Sequence, residues 1–72
     1  MASRYVVFAG RLRGFQLLED ALRFAEVNTP SVVCERRDDG DGHQILVEIA
    51  RHDFLYDPQR DEWRIMLQRT AG

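Results

Sequence analysis

Asp38, Asp39, Gly40, Asp41 and Gly42 place three carboxylates and two glycines side by side, the composition of a calcium loop. An EF-hand loop reads D-x-[DN]-x-[DN]-G and closes on a bidentate Glu at its twelfth position, because a hard cation needs many oxygen ligands around a sharp turn. If Gly42 is the loop glycine, Asp39 and Asp41 fill the third and fifth positions and Glu48 the twelfth. Arg37 then stands where the first carboxylate belongs. Glu48 also falls inside an apolar-patterned strand, where an EF-hand needs a second helix. The stretch reads as a solvated hairpin turn with glycines at positive φ, and no metal ligand is assigned.

The second candidate is Gly10-Arg11-Leu12-Arg13-Gly14, between the first strand and the expected helix. A helix N-terminus offers free amide N–H groups and a dipole that favours anions. Arg11, Arg13 and Gly14 are thus a candidate anion site for a phosphate, a nucleic-acid backbone or a partner's carboxylate. No G-K-[ST] follows and the spacing is not G-x-G-x-x-G, so the segment is neither type of nucleotide loop. The plainer alternative is a flexible connection with exposed arginines.

His43, His52 and Asp53 are the acid–base candidates, with Cys34 as the nucleophile they would activate. Cys34 lies in Val32-Val33-Cys34-Glu35, where a buried, inert thiol is the common outcome. The four residues have no spacing that any such chemistry requires. The chain is therefore expected not to be an enzyme and to need no cofactor.

The C-terminal half carries the types enriched at protein–protein hot spots: Tyr56, Arg60, Trp63, Arg64 and Met66. The same mixture could stack bases, with Tyr5, Phe54, Tyr56 and Trp63 as platforms and Arg4, Arg51, Arg60 and Arg64 on phosphates. Asp53, Asp57, Asp61 and Glu62 interleave that stretch and would repel phosphate. A contact with another protein is the better match, set against the bland alternative that these aromatics finish a small core.

The elements that must position these residues follow from pattern. Arg4–Ala9 is rich in β-branched and aromatic types and predicts a strand. From residue 15 to 28, Phe15, Leu17, Leu18, Ala21, Leu22, Phe24 and Ala25 share one helical arc, and Gln16, Glu19, Asp20, Arg23 and Glu26 share the opposite one. Gly14 can serve as its N-cap, Asn28 as a left-handed terminator, and Pro30 blocks continuation. Ser31–Arg37 and His43–Arg51 flank the acidic turn as a hairpin, the second with Ile45, Val47 and Ile49 on one face. The tail has two readings. As strands, Asp57–Arg60 is a turn, and Phe54 and Tyr56 pair near Trp63, Ile65 and Leu67. As a helix, Asp57 is the N-cap and Pro58 the first helical residue. The strand reading leaves only Met66 out of place and is preferred. The expected architecture is α+β: a two-layer sandwich, β-α-β-β-β-β, with one amphipathic helix on a small, mainly antiparallel sheet.

Length and composition bound the rest. Seventy-two residues make one domain, and a chain this short buries only about 60% of its unfolded surface, so it usually needs a staple or a partner. Cys34 is the sole cysteine, which removes an internal disulfide and fits a reducing, cytoplasmic setting. Homodimerisation becomes the expected source of added stability. No targeting or membrane-spanning pattern is visible, and no membrane partner is expected. All ten basic residues are arginine, which fits a GC-rich bacterial or phage genome, and the net charge of −2 argues against whole-surface nucleic-acid binding. The function expected is that of a small non-enzymatic interaction or regulatory protein. The alternative is a nucleic-acid accessory protein acting through Arg11 and Arg13.

Overall fold

The structure is a computed structural model and describes residues 3–70. Its elements are β1 (Tyr5–Phe8), β2 (Leu12–Phe15), α1 (Leu18–Val27), β3 (Ser31–Asp38), β4 (Gln44–Asp57) and β5 (Glu62–Arg69). One helix packs on a five-stranded sheet of order β2-β1-β3-β4-β5, antiparallel throughout, so the class is α+β.

The order of elements is β-β-α-β-β-β rather than the expected β-α-β-β-β-β, for two reasons. First, the Gly10–Gly14 segment folds back on β1. Gly10 adopts φ +80°, open to glycine at no steric cost, and the Ala9 N–H donates to the Arg11 carbonyl at 3.0 Å. Leu12–Phe15 then pairs with β1, from Phe8↔Leu12 to Tyr5↔Phe15. The helix consequently starts at Leu18, not at residue 15. Its N-cap is Leu17, which makes no side-chain cap bond, and Gly14 is a strand residue. Second, the two strands expected across residues 43–56 are one. Between Gln44 and Asp57 there is no Gly or Pro to break the chain. Only a bulge interrupts the ladder, where Val33↔Ala50 and Cys34↔Glu48 leave Ile49 as the extra residue. The tail is a strand, joined to β4 by a turn in which the Gln59 N–H donates to Asp57 Oδ1 at 3.0 Å.

The helix packs as its arc predicts. Ala21 and Ala25 are fully buried against Val7, Val33 and Ala50, and Leu18, Leu22 and Phe24 flank them. Small residues on both surfaces let helix and sheet approach closely. The Phe15 ring, delivered from β2, lies 5.3 Å from that of Phe24. The helix end differs from expectation. Asn28 has φ −120°, outside the left-handed region, and its side chain donates to the Phe24 carbonyl at 2.8 Å. Thr29 Oγ1 donates to the Glu26 carbonyl at 2.8 Å and Ser31 Oγ to that of Ala25 at 2.7 Å, so side chains satisfy the last turn. The core is thin. Val7 and Val33 are the largest fully buried side chains, and each such burial contributes only about 1.5–3 kcal/mol.

The sheet is staggered. Gln44–His52 pairs with β3 and Ala50–Asp57 pairs with β5, so only Ala50, Arg51 and His52 have neighbours on both sides. The result is elongated, with extents of 50 × 21 × 19 Å and a radius of gyration of 13.9 Å. A compact chain of this length would have about 11 Å. Among the described residues, no helix is long and apolar enough to cross a membrane.

Candidate functional site

Beyond His52, β4 pairs with β5 alone and forms a two-stranded arm. The helix rests on β1, β2 and β3 and, through Ala50, on β4. Ser31 reaches the helix carbonyl of Ala25, which places Ser31 on the helix side of the sheet. His52 stands opposite Ser31 and so shares that side. Side chains alternate along a strand and directly paired residues share a face. Phe54 and Tyr56 therefore lie on the helix side, with their partners Ile65 and Trp63, and with Leu67 opposite His52.

These five residues, Phe54, Tyr56, Trp63, Ile65 and Leu67, form a continuous face without a charge. All lie beyond the core and are 41–67% exposed. Phe54 and Trp63 line a shallow apolar recess of about 400 Å³. Tyr56 and Trp63 pack across the hairpin with ring centroids 5.0 Å apart and planes tilted by 50°, a favourable aromatic geometry. The Tyr56 hydroxyl donates to Asp61 Oδ1 at 2.6 Å, and that bond holds its pKa above the usual tyrosine value. The aromatic pair is thereby anchored to the turn.

The opposite face of the arm is largely polar. Arg64 bonds Glu62 at 3.2 Å and lies 3.9 Å from Asp57, and Arg51 lies 3.9 Å from Asp53. Of the interaction residues named from sequence, Tyr56 and Trp63 come together on the apolar face. Arg60 is in the turn, 4.0 Å from Glu62, and Arg64 and Met66 point to the other face. Phe54, Ile65 and Leu67 were missing from that set. Period two, counted outward from Tyr56 and Trp63, is the signal that finds them.

The other candidates are placed as follows. Arg11 sits in the β1–β2 turn and Arg13 in β2, its guanidinium 5.3 Å from the Phe24 ring centre. Gly14 faces Val6 across the ladder, and a side chain there would meet Ser3. Phe15, Gln16 and Leu17 separate this segment from the first helical residue, so the amides of the helix N-terminus do not adjoin it.

In the acidic turn the carboxylates hold the backbone. Asp38 Oδ1 accepts the Gly40 N–H, and Asp39 Oδ1 accepts those of Asp41 and His43 at 2.8 and 3.2 Å. Gly40 and Gly42 have φ of +91° and +84°. Cys34 is buried on the face away from the helix, and His52 is buried on the helix side. Burial, and then the Glu48 charge, push the Cys34 thiol pKa up. His43 stands exposed at the far turn, so the four acid–base candidates do not converge. Among the described residues, no group of three or more His, Cys, Asp or Glu is placed to hold a metal ion.

Comparison of the chain with protein-family models, with curated proteins and with solved structures gives no match.

Proposed function

We propose that this chain is a small, cytoplasmic, non-enzymatic protein–protein interaction or regulatory protein, and that the apolar face of the β4–β5 arm is the surface through which it acts. One observation carries the reading: five large apolar side chains share one face of a two-stranded arm that the helix does not cover. A hairpin of two strands is marginal in water unless its hydrophobic face packs on something. A contiguous exposed apolar patch of this kind marks a contact site. The turn arginine Arg60 and the ion pairs of the outer face would form its polar rim. On this reading the two-layer sandwich is completed on binding: α1 forms the second layer over β1–β3, and the partner forms it over the arm.

A photo-crosslinking amino acid at position 63, compared with the same group at position 55 on the opposite face, tests this in cell extract. Adducts of higher mass from position 63 and not from position 55 are expected. Equal labelling from both faces, or none from position 63, removes the reading.

A second reading is nucleic-acid binding through Arg11 and Arg13. In its favour, neither arginine has an acidic partner among the described residues. Its helix-dipole component has gone, because the helix starts four residues after Gly14. Retention on nucleic acid that weakens steeply with salt and is lost in an Arg11→Ala/Arg13→Ala double variant would support it.

A further inference from the structure

We infer that the partner of the apolar arm is a second copy of this chain, stacked face to face about a two-fold axis; this rests on the interaction reading above. Three features of the surface point to self-association. The first is area. A large side chain carries about 200 Å² that burial can remove. The five residues average about half exposure, so they offer about 500 Å² from one protomer. Two protomers together bury about 1,000 Å², the lower edge for a specific interface.

The second feature is shape. The protomer is two layers thick where α1 covers the sheet and one layer thick along the arm. Stacked sheets lie about 10 Å apart, close to the diameter of a helix. The partner's arm thus fits the layer that α1 leaves vacant and continues it. The third feature is charge. A two-fold contact places a surface on itself, so any charge on it meets its own sign. Phe54, Tyr56, Trp63, Ile65 and Leu67 carry none; Asp53, Asp57, Glu62 and Arg64 lie on the other face, and the charges that border the patch, Asp61 on the Tyr56 hydroxyl and Arg69 opposite Ala50, stand at its two ends. Pairing through the open β5 edge would leave the apolar face in water, whereas stacking covers it.

The test is sedimentation of the full chain from about 1 to 100 µM, the range an interface at this lower edge calls for, with two variants. Ile65→Glu puts a charge in the centre of the apolar face. Leu55→Glu makes the same change on the opposite face, beside Arg64. Wild type and Leu55→Glu should sediment at twice the 8.4 kDa chain mass as concentration rises, and Ile65→Glu should stay at the single mass with an unchanged far-ultraviolet circular dichroism spectrum.

Trp63, the sole tryptophan, gives a readout that needs no variant. Its emission should shift to shorter wavelength as the wild type associates. A wild type at the single mass throughout, with constant Trp63 emission, overturns the inference. So does an Ile65→Glu variant that associates as the wild type does, the result expected of edge pairing. A monomer whose position 63 still crosslinks to a different protein overturns the second copy alone and leaves the interaction reading standing.

Discussion

His52 is the one described residue whose buried side chain has a bare polar atom. It is 5% exposed, and its Nδ1 has no hydrogen-bond partner. Its cross-strand neighbours are Ser31 and Leu67, and the Ser31 hydroxyl hydrogen is committed to the Ala25 carbonyl. A buried polar group left unsatisfied costs about 1–3 kcal/mol. His52→Leu removes that nitrogen, keeps a side chain of similar size and opens little cavity, so the variant should gain about 1 kcal/mol or more. For a domain of this length each kcal/mol moves Tm by about 4–8 °C, so Tm should rise by at least about 4 °C. The assay is thermal unfolding followed by circular dichroism at one fixed protein concentration, because self-association makes Tm concentration-dependent. His52→Ala is the control: it removes the same nitrogen but leaves a cavity, and its Tm should fall. A His52→Leu Tm at or below that of the wild type would refute the reasoning, since it would mean that Nδ1 is satisfied in the folded protein.

Two further outcomes follow from the far face of the sheet. Hydrogen bonds from Arg51 (2.9 Å) and then Thr70 (2.7 Å) hold the Glu48 carboxyl below its ordinary pKa. A carboxylate with a depressed folded pKa contributes stability that is complete above the ordinary range and is lost as pH falls through the folded value. The Tm gap between wild type and Glu48→Gln should therefore narrow as pH drops below about 4, and a gap independent of pH would contradict the ion pair. Cys34 is buried and its thiol is held protonated by burial. A disulfide reagent at pH 8 should modify the native chain more than about tenfold slower than the urea-unfolded chain, since thiolate fraction and access both fall; equal rates would show that the thiol is open.

The helix was legible because its arc spans a long, strongly periodic stretch, and Ala21 and Ala25 at its centre do become the core. Its start was not legible. Phe15 fits the helical arc as well as it fits a strand, and nothing local separates a residue that precedes the helix from one inside it. Strand β2 was missed because four residues containing a glycine carry almost no pattern; its pairing is set by the Gly10 turn and by β1 beside it. The fusion of two expected strands into β4 was readable in principle, because no breaker separates Arg51 from Phe54. The interaction set divides between two faces for a related reason. Composition selects Tyr56, Trp63, Arg64 and Met66 together, but the pleat sends the last two to the opposite face. Residue type names candidates, and only register decides which of them meet.

The molecule contains its own comparison for the uncovered face. β4 has 14 residues, longer than most strands, and serves a different neighbour with each half. Its stagger produces two arms, one at each end. Helix α1, ten residues and so about 15 Å long, can cover neither. Both arms contain apolar residues that lack a helix above them. On the β3–β4 arm, Leu46 stands opposite Arg36 and Ile45 opposite Arg37. An arginine can lay its aliphatic stem along an apolar neighbour while its charge stays in water; Ile45 and Leu46, 46% and 42% exposed, thus stand beside charged side chains rather than in an unbroken apolar face. On the β4–β5 arm the corresponding pairs are Phe54 with Ile65 and Tyr56 with Trp63, apolar against apolar. The two arms therefore differ in pairing rather than in exposure. Where an arginine stands opposite, charge interrupts the exposed apolar surface. Where apolar residues face apolar residues, the exposed surface is unbroken by charge on either strand. The arginines available nearby, Arg60 and Arg64, are committed to the turn and the outer face. On the proposed reading, this asymmetry is the reason to look for the contact surface at the Trp63 end rather than at the acidic turn.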